Sequence, residues 1–208
     1  MRPIVCLVTA PTPPADAAAF AARLGDAARA GLDLIQIRQP HLDARSLCAL
    51  VRHAVAAVRG TAARVIVNDR LDVALATGAQ GVHLREDSVP AMRVRAVAPR
   101  GFLVGRSVHG VSGAVTAAGA GGLDYLILGT VFPTSSKPNR AAAGAVVLAE
   151  AAAATALPML AIGGVTLERV TDVARAGAAG LAAVGLFASA DVADTVRHVR
   201  DAWRHPVP

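Results

Sequence analysis

Short apolar runs rich in Val, Ile and Leu recur along the chain. They are IVCLVT (4–9), LDLIQIR (32–38), RVIVN (64–68), QGVHL (80–84), FLVGRS (102–107), DYLILGTV (124–131), LPMLAIG (157–163) and GLAAVGL (180–186). Each is too short for a helix buried on two faces, so each is expected to be a buried strand. Between them, Ala/Arg/Leu stretches of helical period predict helices at 16–30, 43–59, 70–78, 89–98, 111–121, 145–155, 166–176 and 191–203. Strands that are apolar throughout suit a parallel sheet covered on both faces. Strand and helix alternating eight times is the pattern of an α/β protein of the (β/α)8 TIM-barrel type, expected here as a single domain over 1–208. An open doubly wound sheet is the alternative, but residues 9–14 read TAPTPP where that fold would carry a Gly-rich GxGxxG turn.

The barrel expectation gives the polar residues a location, because chemistry in such barrels sits at the C-terminal ends of the strands. Those ends deliver Gln36 and Arg38, Asn68 and Asp69, His83, Ser107 and His109, the 134–137 loop, Gly163–Gly164 and Gly185 to one rim. Surface residues placed at random would not respect a rim so regularly.

Composition narrows the ligand. Of the 208 residues, 54% are hydrophobic and 17% charged, so a large core can be buried and disorder is not expected. The net charge of +6 is carried by scattered arginines with few aromatics between them. That argues against nucleic acid and for a small anionic ligand such as a phosphate ester. Cys6 and Cys48 form no CxxC pair and lie in apolar patterns, so both are expected to be buried thiols. The start, MRPIVCLVTAPTPPAD, is apolar for too few residues to span a membrane and reads as a first strand, so a cytoplasmic, membrane-free protein is expected. The alanine-rich helices fit a homo-oligomer and equally fit plain composition.

Several groups could carry chemistry. AIGGVTLERV (161–170) and VGLFASADV (184–192) follow strands 7 and 8, where barrels often hold a phosphate on backbone amides; Gly163, Gly164, Val184 and Gly185 are the candidates. The bland alternative for the glycines is a tight turn. GRSVHG (105–110) puts Ser107 and His109 on one face if the chain stays extended, and an imidazole can move a proton either way. His83 reads as structural. Asp69, in VNDR, either holds a metal or caps the next helix. Glu86 and Asp87 are the next carboxylates, with Arg85 beside them to pair. Lys137 is the sole lysine of the chain and sits in GTVFPTSSKPNRAAAG (129–144), a loop long enough to be a binding loop, with Thr134, Ser135 and Ser136 supplying hydroxyls.

Together, LVT near the start, QIR (36–38), VNDRLDVALATGAQGVHL (67–84), GRSVH (105–109), LDYLILGTVFPTSSK (123–137), AIGGV (161–165) and the strand 8 segment resemble the thiamin phosphate synthase/TenI family over essentially the whole chain. The resemblance implies a TIM barrel that binds a thiazole phosphate and, in the synthase, a pyrimidine methyl diphosphate with Mg²⁺. It assigns Gln36, Arg38 and Asn68 to the pyrimidine and diphosphate, and Asp69 to a magnesium carboxylate. It sets Ser107 and Lys137 around the diphosphate, Thr134 and Ser136 as loop hydroxyls, and Gly164 with Val184–Gly185 around the thiazole phosphate. Two positions depart: the synthase motif QLREK ends in lysine where this chain has Pro40, and HLGQED supplies a second carboxylate where this chain has Ser88. Both departures resemble the TenI branch, whose tautomerases isomerise a carboxythiazole ethyl phosphate with no metal. The leading expectation is therefore a thiazole tautomerase without cofactor, with His109 as acid and base. In it Gly163, Gly164, Val184 and Gly185 bind the phosphate, and Lys137 with Thr134 or Arg38 binds the carboxylate. The alternative is a thiamin phosphate synthase using Mg²⁺. A third expectation is a barrel that binds thiazole or thiamin phosphate without catalysis.

Overall fold

The computed structural model describes residues 2–12, 16–134, 141–188 and 191–204. Eight parallel strands close on themselves in sequence order: β1 Ile4–Val8, β2 Leu34–Ile37, β3 Arg64–Asn68, β4 Gly81–Leu84, β5 Leu103–Val108, β6 Tyr125–Gly129, β7 Met159–Ile162 and β8 Gly180–Ala183. β8 pairs back onto β1 through Ile4↔Gly180 to Leu7↔Ala183. Helices α1 Ala17–Arg29, α2 Ala44–Ala57, α3 Leu71–Thr77, α4 Ala91–Val97, α5 Val111–Gly119, α6 Gly144–Ala153, α7 Val170–Arg175 and α8 Val192–Arg204 follow their strands. This is the TIM barrel that the strand–helix alternation predicts.

The alternation of side chains along each strand divides the core in two. Cys6, Val8, Leu34, Ile66, Tyr125, Ile127, Leu160 and Ala182 fill the barrel interior. Their neighbours, such as Val5, Leu7, Ile35, Val65, Val82, Val104 and Leu126, face outward and pack under the helices with Leu24, Leu50, Val51, Val94, Leu148 and Val196. Both faces of the strands are thus largely dry, which is why the strands carry little polar alternation except near their C-terminal ends.

Tyr125 is the bulkiest side chain of the interior, and it fits because its neighbour is glycine. A Cβ on Gly105 would stand 2.1 Å from the Tyr125 ring. At the opposite end, side chains just ahead of β2, β4 and β6 accept amides from the preceding strand. Asp33 Oδ2 takes Val5 N at 2.8 Å, Gln80 Oε1 takes Val65 N at 2.7 Å and Asp124 Oδ2 takes Val104 N at 2.7 Å. These bonds satisfy amides at the strand starts, which would otherwise be buried without an acceptor. Arg200 of α8, nearly buried, reaches the same floor: Nη2 pairs with Asp33 Oδ2 at 2.8 Å and Nη1 donates to the Pro3 carbonyl at 3.2 Å. Asp16 and Asp43 cap α1 and α2 by accepting Ala18 N and Ser46 N.

Three expectations need correction. Residues 184–186, expected as the end of the last strand, leave the sheet after Ala183 and turn into a 3-10 segment at Gly185–Phe187. The helix expected over 166–176 is a 3-10 turn, Leu167–Arg169, leading into α7. Cys48 is half-buried on α2, whereas Cys6 is fully buried inside the barrel, where burial pushes its thiol pKa far up.

Candidate active site

The inward positions nearest the C-terminal ends of β2 to β5 are polar. Gln36 Nε2 donates to Asn68 Oδ1 at 2.9 Å, linking β2 to β3. Asn68 is in register with His83, and His83 with Gly105, so the polar set continues around the wall. His83 is buried, with Nδ1 3.2 Å from the Tyr125 hydroxyl and Nε2 2.9 Å from the Ser107 hydroxyl. Loss of solvent, with the nearby Arg106 charge as a smaller cause, pushes the His83 pKa down to about 3, so the ring is neutral. Gln36 keeps its carbonyl oxygen buried and without a hydrogen-bond partner. An unpaired buried acceptor is costly, which makes it a natural contact for a ligand donor.

Asp69 follows β3 with φ 57°, a left-handed conformation that aspartate tolerates better than most residues. Its amide donates to the His83 carbonyl at 2.9 Å. The carboxylate is already engaged on both oxygens: Oδ1 accepts the Ser88 hydroxyl, and Oδ2 pairs with Arg85 Nε at 2.9 Å. Arg85 also reaches Asp87 at 3.3 Å. Among the described residues no cluster of three or more His, Cys, Asp or Glu side chains is arranged to hold a metal ion. The donor set at Asp69 therefore does not fit the Mg²⁺ that the synthase resemblance implies: one carboxylate is present, and a guanidinium and a hydroxyl occupy it.

Arg106 was not among the sequence candidates, yet it organises this edge. Its guanidinium donates to the carbonyls of Arg85 at 3.2 Å and Glu86 at 2.8 Å, and also to that of Val89. It thereby holds the β4–α4 turn that carries Arg85 and Ser88. The available signal was its place in GRSVH, between two inward-facing residues, which turns its side chain out under that turn.

His109 sits just past β5, half-buried. Nδ1 donates to the Gly129 carbonyl, since a carbonyl can only accept, and Nε2 lies 3.6 Å from Glu86 Oε2. In the neutral ring Nε2 is then the basic nitrogen, with a carboxylate at hand for the protonated form. Sequence spacing expected Ser107 and His109 to share a face. Ser107 turns inward to His83, whereas His109 lies across the rim between the end of β6 and the β4–α4 turn.

Gly163 and Gly164 have φ 97° and 62°, the region that favours glycine. They are crowded from the β6 side: a Cβ on Gly164 would lie 2.4 Å from the Pro133 carbonyl oxygen and 2.7 Å from that of Phe132. The Gly163 carbonyl accepts Phe132 N at 3.0 Å, and Arg169 donates to the Gly164 carbonyl at 2.8 Å while lying 4.8 Å over the Phe132 ring. A tight turn is thus a sufficient reason for both glycines. Gly185, by contrast, is exposed, with open space where its Cβ would be. Because β7 pairs with β8, the Gly163–Gly164 turn and Val184–Gly185 lie on adjacent strand ends. Arg38 is exposed after β2, with its amide held by the Thr9 hydroxyl at 2.9 Å. Thr134 is half-buried in the loop after β6, while Ser136 and Lys137 lie outside the described residues.

Known proteins agree with this architecture. A family model described as thiamine monophosphate synthase matches residues 5–187. The chain belongs to this family. It is 42% identical over 177 residues to a thiamine-phosphate synthase of Methanoculleus marisnigri, covering 84% of this chain and 83% of that protein. It is 40% identical over 177 residues to one of Methanospirillum hungatei, covering 84% and 85%. A solved thiamine phosphate pyrophosphorylase from Pyrococcus furiosus superposes with a TM-score of 0.82 at 25% identity, over 99% of this chain and 97% of that one. The protein is thus an enzyme-family member of thiamine biosynthesis. These relatives carry the synthase name, which reverses the order of the two activities expected from Pro40, Ser88 and His109.

Proposed function

We propose that the protein is a thiamine-phosphate synthase. The reading is carried by identity of about two residues in five, over most of the chain, to relatives bearing that name. In the reaction a thiazole ring nitrogen forms a bond to the pyrimidine's exocyclic methylene carbon. The carbon–oxygen bond to diphosphate breaks, and diphosphate leaves with the electron pair.

This chain's part is to bind, orient and neutralise charge. The Gln36–Asn68 amide pair offers the pyrimidine one unpartnered acceptor and its remaining donors. Ser107, Arg38 and Thr134 serve the leaving diphosphate, the part that the family resemblance also gives to Ser136 and Lys137, which lie outside the described residues. Amides of Gly164, Val184 and Gly185, with Gly163 shaping the turn, hold the thiazole phosphate. No step here is assigned to a metal, because the Asp69 donor set does not fit one.

A second reading, thiazole tautomerase, is favoured by one specific observation. The Gly129 carbonyl fixes the His109 proton on Nδ1 and leaves Nε2 as a base beside Glu86. Such an imidazole would take the ring C2 proton of a carboxythiazole phosphate and protonate the exocyclic carbon.

One assay separates the two: each substrate set with the full chain, with and without Mg²⁺. Formation of thiamine phosphate with released diphosphate is expected. Isomerisation of the carboxythiazole phosphate without condensation would overturn the synthase in favour of the tautomerase. Saturable binding of thiazole phosphate with no turnover of either set would overturn both.

A further inference from the structure

We propose that Arg85 stands in for the divalent cation at Asp69: the free protein has no cation site there, and the guanidinium supplies the positive charge facing an anionic ligand. Three observations converge. Both carboxylate oxygens of Asp69 are used, by the Ser88 hydroxyl and by Arg85 Nε at 2.9 Å. The Ser88 hydroxyl is itself fixed, accepting the Arg85 amide at 3.0 Å while donating to Asp69, so it cannot turn away without breaking two bonds. And the turn bearing both is clamped by Arg106 through the carbonyls of Arg85, Glu86 and Val89. A cation entering here would have to displace a charge-assisted pair and lie near the guanidinium groups of Arg85 and Arg106. Mg²⁺ demands near-octahedral oxygen ligation and releases its waters reluctantly.

The Arg85 side chain is 61% exposed and anchored only through Nε among the ion pairs described, so its outer edge faces solvent at the mouth. Guanidinium groups bind phosphate oxygens in paired geometry, and the Asp69 carboxylate, in place of ligating a metal, competes with such an anion for Arg85. The anion half of this inference rests on the synthase reading, whereas the cation half holds whichever reaction is catalysed.

The test uses the full chain and two probes. Mn²⁺ is titrated with detection by electron paramagnetic resonance, and inorganic diphosphate is titrated calorimetrically in metal-free buffer. Wild type is expected to take up no stoichiometric Mn²⁺ at concentrations up to about 1 mM, the weak end of protein carboxylate sites. The double variant Arg85→Gly, Ser88→Asp is expected to gain one site. One-to-one Mn²⁺ uptake by wild type that is lost in Asp69→Asn would overturn the cation half. For diphosphate, Asp69→Asn is expected to tighten binding about threefold to tenfold by freeing the guanidinium, and Arg85→Gln to weaken it by a similar factor. Weaker or unchanged diphosphate binding in Asp69→Asn would overturn the anion half. Because neither readout involves turnover, failure of the synthase assay and failure of this inference remain distinguishable.

Discussion

The Nε2 of His83 lies 2.9 Å from the Ser107 hydroxyl, while its Nδ1 faces the Tyr125 hydroxyl at 3.2 Å. The buried phenol, whose pKa burial pushes well up, stays protonated and donates to Nδ1. The neutral ring then carries its own proton on Nε2 and donates to Ser107. That assignment, made from the hydrogen-bond network, leaves the Ser107 proton free for a ligand at the mouth. A line of three side chains from the middle of the barrel to its rim thus sets the polarity of one hydroxyl.

The relay has a cost that pH reveals. His83 has a folded-state pKa of about 3 against 6.5 in a solvated chain, so the unfolded state binds the proton first as pH falls. Stability is fully present above about pH 6.5 and is lost progressively towards pH 3, by about 1.4 kcal/mol per pH unit for one proton. Denaturant titrations at several pH values should show this slope in wild type. They should show a shallower one in His83→Gln; identical slopes would contradict the buried neutral ring.

His109 separates the two activities. Under the synthase reading it touches no reacting atom, so His109→Ala should keep condensation within about tenfold. Any isomerisation of carboxythiazole phosphate should fall by about 10²- to 10⁴-fold, the usual contribution of a general acid–base group. Steady-state rates on both substrate sets decide this, and a collapse of condensation with intact fold would place His109 in the synthase chemistry.

Gly164→Ala should be costly. It combines a φ of 62° with a Cβ 2.4 Å from the Pro133 carbonyl oxygen, so strain and a backbone clash add. A loss of about 2–4 kcal/mol follows, or roughly 5–12 °C in Tm for a chain of this size. A calorimetric Tm within 2 °C of wild type, roughly the shift from under 1 kcal/mol, would show that the 132–133 backbone yields easily.

The barrel floor depends on Arg200. Arg200→Ala removes the partner of Asp33 and the donor to Pro3, and it unties α8 from β1. Removing one member of a fully buried pair costs about 3–5 kcal/mol, but Asp33 is partly exposed and keeps Arg2, so about 2 kcal/mol is expected. Urea midpoints at constant m-value measure it, and an unchanged midpoint would contradict the role.

Periodicity determined the α/β architecture here, because the strands are largely dry on both faces while the helical stretches alternate with them. Those local patterns fit eight parallel strands wrapped by helices, and TAPTPP at 9–14, where a doubly wound sheet would carry a Gly-rich turn, favoured the closed barrel over the open one. The rim position of Gln36, Asn68, Asp69, Ser107 and Gly163–Gly164 followed from that fold without further information. What the linear pattern could not decide was which rim groups are already spent on one another. Arg85 and Ser88 close on Asp69, Arg106 grips the turn that carries them, and His109 turns to Gly129 while Ser107 turns to His83. The 184–186 segment leaves the sheet although its residues look like strand. Those outcomes depend on distances between chain segments far apart in sequence, and hydrogen-bond capacity at such meeting points is shared out only when the barrel closes.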